Sequence, residues 1–178
     1  MPFLSDYARE KKAAYFLRDV SKDARILEIG CGGGWLGRRL RAEGWTGYVG
    51  LDLKPPAEIV GDILAWRRLG IEPASFDIVV AFEVVEHVDC FQAVYDILRP
   101  GGLLMLTSPA PSLDWACHAL ERAGLAQRRT SPHDHLIWFE DISLFQPVAI
   151  KRVGFLAQWG IFRKPGVRSQ NENGLPRK

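Results

Sequence analysis

Apolar and polar positions along the chain alternate between a helical and a strand period. Residues 5–20 place Tyr7, Ala8, Ala14, Tyr15 and Leu17 at helical spacing behind Ser5, a suitable N-cap, so a helix is predicted. Residues 25–30, Arg-Ile-Leu-Glu-Ile-Gly, read as a short buried strand that runs into the glycine run Gly30 to Gly34. A helix over 35–43 stops at Gly44, and a second strand over 48–53 ends at Pro55-Pro56. Residues 58–63 predict a short third strand, and 65–69 a brief helix. Residues 76–82, Phe-Asp-Ile-Val-Val-Ala-Phe, are apolar on both faces and predict a fourth strand. A helix over 90–98, a turn at Arg99-Pro-Gly-Gly102 and an apolar strand over 103–107 follow.

Continuous apolar strands separated by helices imply parallel strands covered on both sides. The expected fold class is therefore α/β, a doubly wound and mainly parallel sheet. The final third is less regular. Residues 111–123 read as a helix, 127–135 as a polar, basic loop, and 141–153 as a helix that Pro147 should kink or delay. Residues 154–162 predict a last strand. With only one clear strand here, an antiparallel hairpin closing the sheet is expected to be shortened. The reading is one domain over residues 1–164 and a flexible polar tail over 165–178.

Composition narrows the setting. Of the 178 residues, 47% are hydrophobic and 25% charged, enough to build one packed core. The net charge of +2 comes from 23 basic and 21 acidic side chains, too even a balance for a protein living on phosphate backbones, so nucleic acid is disfavoured as a partner. Cys31, Cys90 and Cys117 lack zinc spacing and cannot all pair, which fits reduced thiols in the cytoplasm. No apolar run is long enough for a membrane helix, and Asp6, Arg9, Glu10, Lys11 and Lys12 interrupt any signal-like start. Nothing in the pattern fixes an oligomeric state.

A strand, a glycine loop and a helix together make a site for a nucleotide or anion. Gly32-x-Gly34-x-x-Gly37 matches the dinucleotide fingerprint, and Asp52 follows Gly32 by 20 residues, where a ribose-binding acid belongs. That reading gives an NAD-dependent oxidoreductase. The longer run Glu28-x-Gly30-x-Gly32-x-Gly34 resembles motif I of class I S-adenosylmethionine-dependent methyltransferases. Asp52, Gly61-Asp62-Ile63, Phe76-Asp77 and Arg99-Pro100-Gly101-Gly102 stand in the matching order. Phe82-Glu83-Val-Val-Glu86-His87-Val88 is similar to the small bacterial type 11 and type 23 enzymes and the ubiquinone-biosynthesis O-methyltransferases. After Thr107 about 70 residues remain, little for the second region that a dehydrogenase builds around its substrate.

The resemblance implies S-adenosylmethionine as cofactor and a small-molecule acceptor methylated on oxygen, nitrogen or carbon. It assigns the cofactor to Glu28, Gly30, Cys31, Gly32, Gly34, Asp52, Leu53, Asp62, Ile63, Phe82 and Glu83. Asp52 would take the ribose hydroxyls and Asp62 the adenine amino group, while Glu28 would brace the loop or meet the cofactor's amino group. Tyr7 and Arg9 could close over the cofactor. Residues 110–138, aromatic and basic, become the expected substrate cover. His87 is the candidate catalytic base, because imidazole titrates nearest neutrality and the residue follows the fourth strand. The resemblance also leaves open a divalent metal on Glu83, Glu86 and His87 with His133 or His135, and with it the alternative of a metal-assisted RNA 2′-O-methyltransferase. A non-catalytic cofactor-binding protein on the same fold is the remaining alternative.

Overall fold

The computed structural model describes residues 2–111, 135–154 and 156–166. Helix α1 (Pro2–Phe16) precedes β1 (Ile26–Ile29), α2 (Trp35–Ala42), β2 (Tyr48–Asp52) and β3 (Ile59–Val60). Next come β4 (Phe76–Phe82), α3 (Phe91–Ile97), β5 (Leu98–Pro109), β6 (Gln146–Val153) and β7 (Ala157–Arg163). The seven strands lie in the order β3-β2-β1-β4-β5-β7-β6. Strands β1 to β5 pair in parallel, and β7 inserts antiparallel between β5 and β6.

Strand alternation divides the core between the two faces of this sheet. Ile26 of β1 and Ile78 and Val80 of β4 meet Phe16 of α1, Leu36 and Leu40 of α2, and Trp159. Leu27 and Ile29, with Val79 and Ala81, meet Val94 and Ile97 of α3, Trp66, Phe139 and Phe145. With both faces covered, the inner strands are largely apolar, and β4 has the boundaries that its sequence pattern predicts. Burial of each large side chain contributes roughly 1.5–3 kcal/mol.

Several expected elements are corrected. The segment expected to be a helix over 141–153 instead holds a 3-10 turn at Phe139–Asp141 and then strand β6, so the closing hairpin is complete. Ile142, Phe145, Ala149 and Val153 imitate a helical stripe. The chain is extended all the same, because β6 is the sheet's outermost strand and pairs on one side only. Pro147 is tolerated there because an edge strand can do without one N–H, and the pairing is irregular between Pro147 and Ala149. The second correction concerns Arg99-Pro-Gly-Gly102, which lies within β5 rather than before it. Leu98 pairs with Phe76 and Leu103 with Ile78, so the glycine turn is an outward loop in a continuous strand.

The third strand is trimmed to two residues, and the helix expected over 65–69 is a 3-10 turn at Ile63–Ala65. Residues 112–134, which hold nearly all of the helix expected over 111–123 and of the loop expected over 127–135, lie outside the described residues, as does the tail beyond residue 166.

Candidate active site

The glycine loop begins where β1 ends. Gly30 and Cys31 donate their N–H groups to the Leu51 carbonyl at 2.8 and 3.2 Å, which ties the loop to β2. Gly30 has φ +72°, and a Cβ there would stand 2.5 Å from a methyl of Val84. Only glycine lets the loop pass this close to the chain leaving β4. Gly34, also left-handed at φ +68°, starts α2 without a side-chain cap. Asp52, at the end of β2, accepts the Gly32 N–H on Oδ2 at 2.8 Å and the Lys54 N–H on Oδ1 at 3.3 Å. Asp62 accepts the Leu64 N–H at 2.9 Å and so opens the 3-10 turn.

These groups surround a cavity of about 510 Å³ at the carboxyl edge of the sheet. That volume suits a small organic ligand or cofactor. Gly30, Asp52, Leu53, Asp62 and Ile63 line it, together with Glu83, Val84 and His87. Of the residues singled out in the sequence, the structure therefore brings seven to one cavity. Glu28, Cys31, Gly32, Gly34 and Phe82 do not line it. Tyr7 is exposed, with the Lys11 ammonium over its ring, and the Arg9 guanidinium lies over the ring of Trp35.

Glu28 is buried beneath the loop and accepts a hydrogen bond from the Tyr48 hydroxyl. Burial raises its carboxyl from the ordinary range to about 7, against the pull of that hydrogen bond. Gly50, with no side chain, makes room beside it for Cys31, Tyr48 and Glu58. Cys31 shares this buried and negative setting, and its thiol is pushed up to about 11, far from a reactive thiolate.

A second polar group of residues lies at the ends of β4 and β5. Glu83 has φ +57°, a conformation that a long side chain rarely adopts. Its N–H donates to the Thr107 carbonyl at 2.9 Å. Its Oε1 accepts the Thr107 hydroxyl at 2.8 Å and the Lys12 ammonium, reaching in from α1, at 2.6 Å. Lys12 also donates to Thr107 Oγ1 at 3.2 Å and lies 5.5 Å from the centre of the Phe82 ring. Behind Glu83, Glu86 is 1% exposed, and its Oε2 has no hydrogen-bond partner among the described residues. Burial first, and then the Glu83 charge, raise the Glu86 carboxyl to about 8. The Ser108 hydroxyl lies toward it without reaching hydrogen-bond geometry.

A family profile described as the methyltransferase domain matches residues 3–153. The chain belongs to this family, the class I S-adenosylmethionine-dependent methyltransferases. Its sequence is 34% identical to a ubiquinone biosynthesis O-methyltransferase of Cereibacter sphaeroides, over 60% of this chain and 52% of that protein. It is 31% identical to the mitochondrial ubiquinone biosynthesis O-methyltransferase of Mus musculus, over 61% of this chain and 35% of that one. The methyltransferase domain thus spans about half the length of its bacterial relative or less of the mouse one. In fold it is similar to the PH0226 protein of Pyrococcus horikoshii, with a TM-score of 0.64 at 18% identity over 89% of this chain and 90% of that chain. It is similar also to an S-adenosylmethionine-dependent methyltransferase of Methanosarcina mazei, with a TM-score of 0.62 at 16% identity over 85% and 97%.

The topology gives the reason to set the dinucleotide reading aside. A dinucleotide-binding sheet continues in parallel beyond its fifth strand, whereas here β7 turns back antiparallel against β5. Gly37, the third glycine of that fingerprint, serves packing, since a Cβ there would stand 2.4 Å from the Tyr48 ring. S-adenosylmethionine is the cofactor of the methyltransferase domain. The residues present fit it: acids at Asp52 and Asp62 suit hydroxyl and amino donors, and bare backbone at Gly30 leaves room beside them. Among the described residues no three His, Cys, Asp or Glu side chains gather as a metal site. Glu83 turns to Lys12, Glu86 is buried, and His135 donates its backbone N–H to the Glu86 carbonyl. His133 lies outside the described residues.

Sequence reasoning missed Lys12, Tyr48, Thr107, Ser108 and Gln158. Gln158 is fully buried and donates to the carbonyls of Pro109 and Ile137 while accepting the Phe139 N–H. It thereby fastens β7 to the end of β5 and to the segment entering β6. Its one sequence signal is a glutamine among apolar residues of a strand. No helix among the described residues is long and apolar enough to cross a membrane.

Proposed function

We propose that the methyltransferase domain transfers a methyl group from S-adenosylmethionine to a hydroxyl oxygen of a small molecule. The observation that carries this reading is that one cavity at the sheet's carboxyl edge gathers Asp52 and Asp62 together with Glu83 and His87. Oxygen is favoured over nitrogen or carbon by the similarity to O-methyltransferases of ubiquinone biosynthesis.

When bound, S-adenosylmethionine supplies an electrophilic methyl group on a sulfonium that is its own leaving group. The chain has then to hold, align and accept a proton. Asp52 holds the ribose diol, its orientation fixed by the Gly32 N–H. Asp62 and the Ile63 backbone hold the adenine edge, and the glycine loop carries the amino-acid end. His87, on the cavity wall beyond Glu83, accepts the acceptor's proton.

Calorimetric titration with S-adenosylhomocysteine tests the cofactor assignment, with NAD run in parallel. Micromolar binding is expected for the nucleoside product and none for NAD. Asp52→Asn keeps an oxygen for Gly32 but loses the charge, and should weaken binding at least about tenfold, in line with a charge-assisted hydrogen bond. Absence of heat with S-adenosylhomocysteine, or binding of NAD in its place, would overturn the reading.

A further inference from the structure

Glu83 stands between two environments. On one side is the cavity with Asp52 and Asp62, whose described lining includes nothing from α1 or β5. On the other side are Lys12 and Thr107, bonded to the same carboxylate oxygen. The ammonium is therefore on the β5 side of Glu83, away from the ribose and adenine acids. Its side chain is 17% exposed, so it is accessible yet largely withdrawn from water. Two of its three N–H groups are engaged among the described residues, by Glu83 and Thr107.

The neighbours are aromatic. Lys12 lies over Phe82, and the rings of Phe82 and Trp35 are nearly parallel, 18° apart. A fixed positive charge beside flat apolar surface is suited to an aromatic hydroxyl that must become an oxyanion. Thr107 and Glu83 keep the ammonium in place, and the left-handed backbone at Glu83 is held by its N–H bond to Thr107.

We propose that Lys12 is a catalytic residue, its ammonium holding the acceptor's hydroxyl oxygen as that oxygen becomes anionic. This rests on the hydroxyl-methylation reading. The acceptor's O–H bond breaks and its proton leaves toward solvent, by way of His87 where that residue serves as base. The oxygen's electron pair then forms the O–CH3 bond while the CH3–S bond breaks, and its electron pair stays on sulfur. Positive sulfonium and negative oxygen become neutral thioether and neutral ether.

Lys12→Met and Lys12→Arg test the assignment with catechol and 4-nitrocatechol at pH 8, where the nitro compound is already an oxyanion and catechol is not. In Lys12→Met, kcat for catechol should fall at least about thirtyfold with KM little changed, since only the transition state carries the charge. For 4-nitrocatechol the loss should move into KM, because the bound ground state is charged as well. Lys12→Arg should restore most of both, and S-adenosylhomocysteine affinity should stay within about threefold in both variants. Equal losses for the two acceptors together with weakened S-adenosylhomocysteine binding would make Lys12 a pin for α1 or a cofactor contact, and would overturn the proposal. Unchanged kinetics in Lys12→Met would do the same. If the wild-type domain methylates neither probe while binding S-adenosylhomocysteine, the hydroxyl reading itself fails, and this inference with it.

Discussion

Among the described residues two carboxylates are buried, and the contrast between them separates framework from working surface. Glu28, under the glycine loop, has the Tyr48 hydroxyl as its donor and lies away from the cavity. Glu86, behind the end of β4, keeps one oxygen without a hydrogen-bond partner among the described residues, as does Ser108 beside it. Burial raises both, Glu28 to about 7 and Glu86 to about 8. A buried polar group normally has a partner, because leaving it without one costs about 1–3 kcal/mol. The satisfied cluster under the loop therefore reads as structural. The unsatisfied one lies at the strand ends where the proposed acceptor enters.

The two regions touch at Gly30, and a substitution there should have the largest effect. Gly30→Ala places a Cβ 2.5 Å from Val84, next to Glu83, in a backbone conformation of φ +72°. Left-handed strain and overpacking together should cost roughly 2–4 kcal/mol, read from denaturant midpoints. S-adenosylhomocysteine affinity should fall along with stability. A mild loss, below about 1 kcal/mol, would mean that the loop and the end of β4 move independently, and the two regions would not be coupled.

Glu28→Gln sharpens the contrast through pH. A carboxyl held near 7 in the folded chain and near its ordinary 4.5 in the unfolded chain binds more protons when folded, over the interval between those values. Its contribution is fully present below about pH 4.5 and is lost as pH rises through about 7. At 1.36 kcal/mol for each pH unit, the difference is on the order of 3 kcal/mol. Glutamine keeps an oxygen for Tyr48 and carries no charge at any pH. The variant should therefore be more stable than wild type at pH 8, with the gain shrinking toward pH 5. Parallel stability curves for the two proteins between pH 5 and 8 would show that Glu28 is not the group responsible.

What the sequence reveals and what it conceals follow from chain separation. Glu28, Gly30, Gly32 and Gly34 lie within one strand and turn, and Asp52 ends the next strand, so their arrangement is local. The resemblance to a known motif is correspondingly clear. Lys12 meets Glu83 across 71 residues and Thr107 across 95, and only the docking of α1 onto the sheet brings them together. As a sequence feature, Lys12 is one more charge on an amphipathic helix. Strand β6 is concealed for another reason. An edge strand with mostly exposed or half-buried positions has no strong period of two, so chance helical spacing dominates. Pro147 is the residue that speaks against a helix.

The smallest effect is expected where a hydroxyl has no partner to lose. Tyr48→Phe removes the donor to Glu28 and should cost about 1–3 kcal/mol. Ser108→Ala removes a buried oxygen without hydrogen-bond partners among the described residues, and should change stability by less than about 0.5 kcal/mol, or even raise it. Both substitutions leave the packing nearly intact, so the difference between them isolates the hydrogen bond. Chemical denaturation of the two variants beside wild type, at one pH near 6.5, measures it. A loss above about 1 kcal/mol in Ser108→Ala would show that the hydroxyl satisfies Glu86 in solution. The two carboxylates would then be equivalent, both structural, and the strand ends would lose their distinction as the reacting surface.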